Sequence, residues 1–197
     1  FMFSGIIRNL VEIRNLKSNG DYFELEIANP SLHNINNGDS ILINGVCLTV
    51  VSFTNDFIKF DLLKETIDIT NLSDCFQKKV PLNLETSLKF GDENHGSEVT
   101  GHVDTVVKFL GNQGEKYFFE NNSSVEPYLQ EKNYVVLNGV CLTIVDVSKD
   151  KFSVCLIPET LNLTNLSLLN IGDGVNLEFD KTARIIVGFL KKYLNKN

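Results

Sequence analysis

The stretch Asn44-Gly45-Val46-Cys47-Leu48-Thr49 occurs twice in this chain, and its second copy is Asn138-Gly139-Val140-Cys141-Leu142-Thr143. The two copies are separated by 138 − 44 = 94 residues. About half of the positions from 44 to 72 are identical to their counterparts 94 residues later. A self-match at one fixed offset indicates an internal duplication, and this offset is far longer than the repeats of solenoids or propellers. Each copy is therefore predicted to form a small domain with its own core.

The repeated stretch also predicts its local structure. Asn44-Gly45 favours a hairpin turn because both residues tolerate a positive φ. In the strand that follows, side chains alternate between two faces, so Cys47 and Thr49 share a face that a ligand can reach. Cys141 and Thr143 share the same face in the second copy. We expect the aliphatic residues of both strands to face a core: Val46, Leu48 and Val50, and Val140, Leu142 and Ile144.

Strand-like segments bounded by turn signals recur in both copies, for example at 22–27 and 57–62. This pattern predicts an all-β fold of two tandem Greek-key barrels, whose closure hides the strand edges. The end of the chain differs, because its apolar residues recur at helical spacing and predict an amphipathic helix. Burial of that helix in an oligomer is expected, since the chain offers no third layer to cover it. The predicted units are an N-terminal barrel at 1–92, a linker at 93–97, a C-terminal barrel at 98–181 and a helix at 182–197.

Composition excludes several classes of function. A net charge of −7 and a pI near 5.0 argue against a nucleic-acid binder, which needs a basic face for phosphates. Lysine and arginine never cluster beyond a pair, which argues against an electrostatic membrane anchor. No secretion-signal pattern or run of 18 apolar residues is present, so we expect a cytoplasmic chain whose four cysteines are reduced. No Cys-x-x-Cys pair, phosphate loop or metal-binding motif is found in the sequence.

The duplicated thiols Cys47 and Cys141 are the first candidates for a functional site. Two interpretations are open, because free cysteine is also common as a small buried hydrophobe. The identical pairs Glu65-Thr66 and Glu159-Thr160 allow two interpretations as well. They either make hairpin or cap hydrogen bonds, or bind a ligand that is present once per copy.

His102 stands where the first copy has Ile6, so the two copies are related but chemically different. An imidazole that titrates near neutral pH is suited to proton transfer, although a lone histidine is more often structural or simply exposed. Asp180 is flanked by apolar residues. It is predicted to be either a partly buried base or the N-cap of the C-terminal helix.

Several of these motifs together resemble the riboflavin synthase family of the α-chain type, and the match runs from Met2 to Leu194. The segments that carry the resemblance are Met2-Phe3-Ser4-Gly5-Ile6, 44–49, Lys64-Glu65-Thr66, Thr100-Gly101-His102-Val103-Asp104 and Leu156-Ile157-Pro158-Glu159-Thr160-Leu161.

The resemblance implies two six-stranded Greek-key barrels, a C-terminal helix and a homotrimer. It implies a dismutation of two molecules of 6,7-dimethyl-8-ribityllumazine to riboflavin and 5-amino-6-ribitylaminouracil, the last step of riboflavin biosynthesis, with no cofactor and no metal. Each barrel is expected to bind one lumazine, with the active site between the N-terminal barrel of one subunit and the C-terminal barrel of its neighbour.

The family's catalytic positions correspond to Phe3, Ser40, Cys47, His102 and Asp180. The resemblance implies a first substrate cradle formed by Gly5, Ile6, Ile7, Cys47, Leu48, Thr49, Asp61, Leu62, Leu63, Lys64, Glu65 and Thr66. It implies a second cradle formed by Gly101, His102, Val103, Lys132, Cys141, Leu142, Thr143, Cys155, Leu156, Ile157, Pro158, Glu159 and Thr160. Backbone groups of these segments are expected to hydrogen-bond the pteridine edge.

The implied chemistry suits these residue types. A weak base, His102 or Asp180, would take a proton from the acidic C7 methyl group of the donor. Ser40, Cys47 or an activated water would supply or position the nucleophile that adds to C7 of the acceptor.

Two positions depart from the family pattern. Ser97 stands where a histidine is usual, and Cys141 stands where a serine is common. Two other functions remain as alternatives: a lumazine or flavin carrier without catalysis on the same fold, and a purely structural trimer.

Overall fold

The computed structural model describes residues 2–194, and most of its regular structure is β-strand. The elements of the first half are β1 (Asn9–Val11), β2 (Ile13–Asn19), β3 (Tyr22–Ala28), β4 (Ser40–Ile43), β5 (Val46–Phe53), β6 (Phe57–Leu63), α1 (Lys64–Ile69), α2 (Leu72–Lys78) and β7 (Leu82–Thr86). Those of the second half are β8 (Thr105–Gln113), β9 (Lys116–Glu120), β10 (Tyr134–Leu137), β11 (Val140–Val147), β12 (Lys151–Cys155), α3 (Pro158–Leu163), β13 (Gly174–Phe179) and α4 (Lys181–Leu194). Two short 3₁₀ helices lie at Glu126–Tyr128 and Asn165–Leu168.

The second half forms a closed six-stranded barrel in the order β10-β11-β12-β9-β8-β13. The first half forms a sheet in the order β1-β7-β4-β5-β6-β3-β2. Its two end strands, β1 and β2, are separated only by Glu12. Strand β1 pairs with β7 and strand β2 pairs with β3, whereas in the second half the single strand β8 pairs with both corresponding strands, β13 and β9. The sheet therefore closes on itself through one interrupted strand. The predicted pair of barrels is confirmed, with seven strand segments in the first instead of six.

The alternation predicted for the repeated stretch is confirmed. Val46, Leu48 and Val50 are buried in the first core, whereas Cys47 is half-buried and Thr49 is exposed. Strand β11 repeats this pattern in the second core. Each barrel thus fills its own interior with one face of its strands and leaves the thiol on the other face.

The Asn-Gly turns also have the predicted geometry, since φ is 50° at Asn44 and 85° at Gly45, and 47° and 83° in the second copy. The two turns pack tip to tip. A Cβ atom added to Gly45 would lie 2.8 Å from the backbone nitrogen of Gly139, a distance that real Cβ atoms do not reach. Glycine is therefore required at these tips both by the positive φ and by the close approach of the two backbones.

Four buried asparagine side chains form a closed ring of hydrogen bonds at this junction of the barrels. The Nδ2 atom of Asn44 donates to Asn71 Oδ1 (2.8 Å), and that of Asn71 donates to Asn138 Oδ1 (3.0 Å). Asn138 Nδ2 donates to Asn165 Oδ1 (3.2 Å), and Asn165 Nδ2 completes the ring by donating to Asn44 Oδ1 (2.7 Å). Each member is at most 3% exposed, so the ring satisfies polar groups that water cannot reach.

Two further asparagines, Asn83 on β7 and Asn176 on β13, extend this ring. Each donates its side-chain amide to the carbonyl oxygen of the Asn-Gly turn in the other barrel, at 2.8 Å in both cases. Each also accepts from the backbone N–H of an asparagine of the other barrel, at 2.8 and 2.7 Å. Polar side chains from both copies therefore fix how the two barrels dock.

The opening segment of each copy crosses to the other barrel. The N–H of Cys141 donates to the carbonyl of Gly5 (3.0 Å), and the N–H of Cys47 donates to the carbonyl of Gly101 (2.9 Å). Two apolar residues follow the same exchange and pack on the core of the other barrel: Ile7 and Val103. The two barrels are thus joined by reciprocal exchange as well as by the asparagines.

The C-terminal helix α4 is confirmed within the described residues. The predicted span of 182–197 includes residues 195–197, which lie outside them. Five large apolar side chains of α4 are 50–64% exposed: Ile185, Ile186, Phe189, Leu190 and Tyr193. None of the helices between residues 2 and 194 is long and apolar enough to cross a membrane.

Candidate functional site

A cleft lies where the first exchanged segment, residues 5–7, meets the second barrel, and we call it the C-terminal cleft. The place that corresponds to it by the duplication, where residues 101–103 meet the first barrel beside Cys47, is called the N-terminal cleft. The C-terminal cleft has a volume of about 150 Å³ and is lined by Gly5, Ile6, Ile7, Val140, Cys141, Glu159, Thr160, Leu163 and Thr164.

The expected grouping of residues into cradles is wrong in one respect. Residues 5–7 were expected beside Cys47, and residues 101–103 beside Cys141. The backbone hydrogen bonds pair them the other way, because each opening segment leaves its own barrel. The set of candidate residues is unchanged, but each cleft combines the two copies.

A buried carboxylate anchors each exchanged segment. Glu85 accepts hydrogen bonds from Ser4 N (2.7 Å), Ser4 Oγ (2.6 Å) and Gly5 N (3.0 Å). Glu178 accepts the same three bonds from the second segment, at 2.8, 2.6 and 2.9 Å. Burial raises the pKa of the Glu85 carboxyl, and the hydrogen bonds from Ser4 and Gly5 oppose that rise. Glu85 and Glu178 end the matched segments Leu82-Asn83-Leu84-Glu85 and Val175-Asn176-Leu177-Glu178, and their role as anchors was not predicted from the sequence.

Each cleft contains a thiol beside a hydroxyl group. The Cys47 thiol lies near the Ser40 hydroxyl, and Cys141 Sγ donates to Ser97 Oγ at 3.0 Å. Burial raises the pKa of both thiols, and the neighbouring serine opposes the rise in each case. Both cysteines are half-buried, so neither of the two sequence-based interpretations describes them fully. At pH 7 both groups are neutral thiols.

Phe3 lies behind these thiols. Its side chain is completely buried and packs with Leu42, Val99 and Val136 in a small apolar cluster between the barrels. Both Cys47 and Cys141 contact this cluster. Because Phe3 presents no surface of its own, it can influence a cleft only through the residues packed on it.

His102 is exposed beside the N-terminal cleft, directly after the carbonyl that receives the Cys47 N–H. Its own carbonyl accepts a hydrogen bond from Arg184 Nη2 (3.3 Å) on α4. The same Arg184 nitrogen lies 2.7 Å from Asp104 Oδ2. The imidazole is therefore free to contact a ligand, while its backbone is tied to the C-terminal helix.

Asp180 begins that helix. Its Oδ1 atom accepts from the N–H of Ala183 (2.7 Å), so the N-cap interpretation is confirmed. The carboxyl group is 7% exposed and also neighbours the hydroxyl of Tyr134. Burial and this nearby carboxylate raise the pKa of the Tyr134 phenol. The carboxyl group of Asp180 is therefore bound to the first turn of α4 and lies near the Tyr134 hydroxyl of the second barrel.

The repeated Glu-Thr pairs lie in the first turns of α1 and α3. Neither helix has a side-chain N-cap hydrogen bond within residues 2–194, so the cap interpretation is not supported. Glu65 and Glu159 are exposed, and Glu159 and Thr160 line the C-terminal cleft. The carbonyls of Thr66 and Thr160 accept from the hydroxyl groups four residues later, at 2.6 and 2.7 Å. These bonds hold the helix ends rather than the glutamates.

The other predicted cradle residues divide by exposure. Four leucines point into the barrel cores, so a ligand can reach only their backbone: Leu48, Leu62, Leu142 and Leu156. The exposed members are Thr49, Asp61, Leu63, Lys64, Lys132, Thr143, Cys155, Ile157 and Pro158.

Comparisons with known proteins agree with this geometry. The family model of the lumazine binding domain matches residues 4–87 and again residues 100–180, once per barrel. The chain is 36% identical to the riboflavin synthase of Chlamydia pneumoniae, over 98% of this chain and 97% of that protein. It is 33% identical to the riboflavin synthase of Escherichia coli K12, over 98% and 93%.

A solved structure shares the fold. LumP in complex with 6,7-dimethyl-8-(1'-D-ribityl)lumazine superposes with a TM-score of 0.78 at 26% identity, over 90% of this chain and 98% of LumP. The double match of the family model and the full-length relatives confirm the resemblance seen in the sequence. The chain belongs to the riboflavin synthase family of lumazine-binding, two-barrel proteins.

Proposed function

We propose that this chain is a riboflavin synthase that converts two molecules of 6,7-dimethyl-8-ribityllumazine into riboflavin and 5-amino-6-ribitylaminouracil. The observation that carries the proposal is the full-length similarity to riboflavin synthases in a chain that forms two similar clefts. One lumazine gives four carbon atoms to the other. Atoms and electrons therefore balance between two copies of one compound, and the reaction requires no cofactor.

Each cleft is proposed to hold one lumazine. In the C-terminal cleft the heterocycle would lie against Gly5, Ile6, Cys141, Glu159 and Thr160. Glycine is required at position 5 because a Cβ atom there would lie 2.5 Å from the Cβ atom of Cys141, so the exchanged segment can pair with β11 only without a side chain at this position. The N-terminal cleft repeats this arrangement with Gly101, His102, Cys47, Glu65 and Thr66. Holding both reactants in place converts a bimolecular reaction into an effectively intramolecular one.

The exposed imidazole of His102 is the better candidate for the base that removes a proton from the donor methyl group. The alternative, Asp180, is buried and is already engaged as the N-cap of α4 and beside Tyr134. Cys47 stays a neutral thiol because burial raises its pKa. With Ser40 it is suited to orient a water molecule for addition at the acceptor, rather than to attack as a thiolate.

The proposed assembly is a homotrimer. A cavity of about 150 Å³ is small beside the roughly 300–1,000 Å³ of most ligand pockets, so one chain covers a ligand incompletely. The exposed apolar face of α4 provides a surface for contact between subunits. In a trimer the N-terminal cleft of one subunit would face the C-terminal cleft of the next and place donor and acceptor together.

The test is to incubate the purified chain with the lumazine alone and to follow riboflavin by its absorbance and fluorescence. Riboflavin should form without any added cofactor, with one uracil product for each riboflavin. A complete absence of riboflavin between about pH 6 and pH 8, where a histidine base changes its charge, would overturn the proposal.

A lumazine or flavin carrier is the second candidate, and the likeness to the LumP complex favours it. A carrier would retain lumazine in a stoichiometric complex and release it unchanged after hours of incubation. The same assay therefore separates the two functions, because only the enzyme consumes the bound compound.

A further inference from the structure

We propose that Ser97 is a positioning residue whose hydroxyl group holds the thiol of Cys141 at the C-terminal cleft, where the thiol contacts the bound heterocycle. This inference rests on the proposed function, since it concerns the ligand of the same cleft. Cys141 lines the cleft together with Gly5 and Ile6. Ser97 is not among the residues that the family resemblance implies for the substrate cradles.

The position of the Ser97 hydroxyl is fixed by several contacts. Its Oγ atom accepts from Cys141 Sγ at 3.0 Å, and its backbone N–H donates to the carbonyl of Ser4 at 3.0 Å. Ser4 is itself held by Glu85 through two hydrogen bonds. The serine is therefore attached to the same exchanged segment that forms one wall of the cleft.

Gly96 makes this attachment possible. A Cβ atom at this position would lie 2.0 Å from the carbonyl oxygen of Ser4, which no side chain can tolerate. The backbone before Ser97 can therefore approach the exchanged segment closely only with glycine at 96. The close contact and the hydroxyl–thiol bond belong to one local structure, built by residues 4, 96, 97 and 141.

In the N-terminal cleft, a different residue takes the place that Ser97 has beside Cys141. There the thiol of Cys47 lies near the hydroxyl of Ser40 on the neighbouring strand β4. The duplication places Tyr134 at the corresponding position of the second copy, because 134 − 40 = 94, and the Tyr134 hydroxyl donates to the carbonyl of Glu98 instead. Ser97 supplies the missing hydroxyl from a different part of the chain. Both clefts thus place a serine hydroxyl beside the thiol, although the serine comes from a different part of the chain in each.

A thiol held in this way offers a polarisable sulfur to the edge of an aromatic heterocycle. Burial raises the pKa of Cys141, whereas the Ser97 hydroxyl can donate to the thiolate and lowers it. Loss of the hydroxyl should therefore make the thiol both less reactive and less well placed.

The experiment compares the full chain with Ser97→Ala and with Ser97→Thr, which keeps a hydroxyl group. Ser18→Ala is the matched control, because Ser18 is exposed in a hairpin and bonds only its own turn. Each protein is alkylated with iodoacetamide, with and without riboflavin, and the labelling rates of Cys47 and Cys141 are measured separately by peptide mass spectrometry. Calorimetric titration with riboflavin gives the affinities of the two clefts.

Ser97→Ala should slow the labelling of Cys141 by about threefold to tenfold, the effect of one lost hydrogen bond, and weaken one riboflavin site by a similar factor. In Ser97→Ala, the labelling rate of Cys47 and the affinity of the other riboflavin site should change by less than about twofold. In Ser97→Thr and Ser18→Ala, all labelling rates and affinities should stay within about twofold of the parent chain. Riboflavin should protect Cys141 in the parent chain. An unchanged Cys141 rate in Ser97→Ala, or no protection of Cys141 by riboflavin, would overturn the inference. Failure of the proposed function would instead be seen as absent turnover of lumazine in the parent chain.

Discussion

The two clefts share one backbone design but carry different polar groups. In both, an exchanged segment is anchored by a buried glutamate and paired with the strand of a repeated cysteine. The N-terminal cleft presents the imidazole of His102 where the C-terminal cleft presents the aliphatic Ile6. The two clefts are therefore related by the duplication but chemically unequal. Such inequality suits a reaction in which two identical molecules must act as donor and as acceptor.

The attachment to α4 is a second difference between the two halves. Arg184 of this helix binds the second exchanged segment through Asp104 and the carbonyl of His102. The residue at the place of Asp104 in the first copy is Arg8, because 104 − 8 = 96, and it is exposed. The helix therefore supports the N-terminal cleft specifically. Any contact between subunits made by α4 is linked to the position of His102.

The largest effect is expected when this link is removed. A chain that ends after Lys181 loses Arg184 and the apolar face of α4. We expect it to form monomers with intact barrels. Its activity should fall by at least about 100-fold, because the two reactants are no longer held in alignment. Light scattering and the lumazine assay measure both properties. Lys192→Ala in the full chain is the control. A truncated monomer with full activity would disprove the shared site.

The unequal polar groups can be tested directly by comparing His102→Ala with Ile6→Ala. We expect His102→Ala to lower kcat by about 100-fold, as the loss of a general base does. Ile6→Ala should mainly raise KM, because it removes apolar contact without removing a proton carrier. Steady-state kinetics on both variants, with circular dichroism as a check of folding, measures the difference. Equal effects of the two substitutions would mean that the clefts do not divide the chemistry in this way.

The asparagine ring is common to both halves, and breaking it should cost stability rather than chemistry. Asn165→Ala leaves the side chains of Asn44 and Asn138 without one partner each in a buried site. We expect a loss of about 2–4 kcal/mol in the free energy of unfolding. Urea denaturation measures it, with the exposed Asn94→Ala as the control. A loss below about 0.5 kcal/mol, the range of ordinary surface substitutions, would show that the ring does not hold the barrels together.

The smallest expected effect is on the free energy of unfolding, through Glu85, the anchor of the first exchanged segment. This effect should depend on pH. Burial raises the pKa of Glu85 in the folded chain, so the folded state binds its proton more tightly than the unfolded state does. The stability that Glu85 contributes is then fully present below its ordinary pKa of 4.5 and declines as the pH rises through the raised value. The stability of the parent chain relative to Glu85→Gln should accordingly be greatest near pH 4.5 and smaller at pH 7. Urea denaturation across this range checks the sign, and a difference that grows with pH would contradict it.

Local patterns in the sequence predicted the repeated elements well. The alternation around Cys47, the Asn-Gly turns and the amphipathic end of the chain each depend on neighbours within a few residues. They were confirmed because the side chains that the patterns place on one face are the ones that pack in the barrel cores. The short helix α3 was missed, although Pro158 in its first turn and Glu159 beside it are helix-start signals.

The exchange of the opening segments could not be predicted from such patterns. Each opening segment begins with glycine and ends with an aliphatic residue, Ile7 or Val103. Such a residue can pack on the core of its own barrel or on that of the other barrel, and the sequence pattern is the same in both cases. The asparagine ring was also missed, although one signal was present. Asn83 and Asn176 occur at matched positions inside apolar strands, and a polar residue repeated in a buried strand indicates a partner.

The most direct test of the account is a crystal structure with a lumazine analogue that cannot react. We predict one analogue in each cleft, the first beside the hydrogen-bonded pair Gly5 and Cys141 and the second beside the pair Gly101 and Cys47. An analogue bound beside neither cysteine, or only one binding site for each chain, would contradict the central claim. That claim is that the exchange of opening segments between two duplicated barrels creates two binding sites for the same compound.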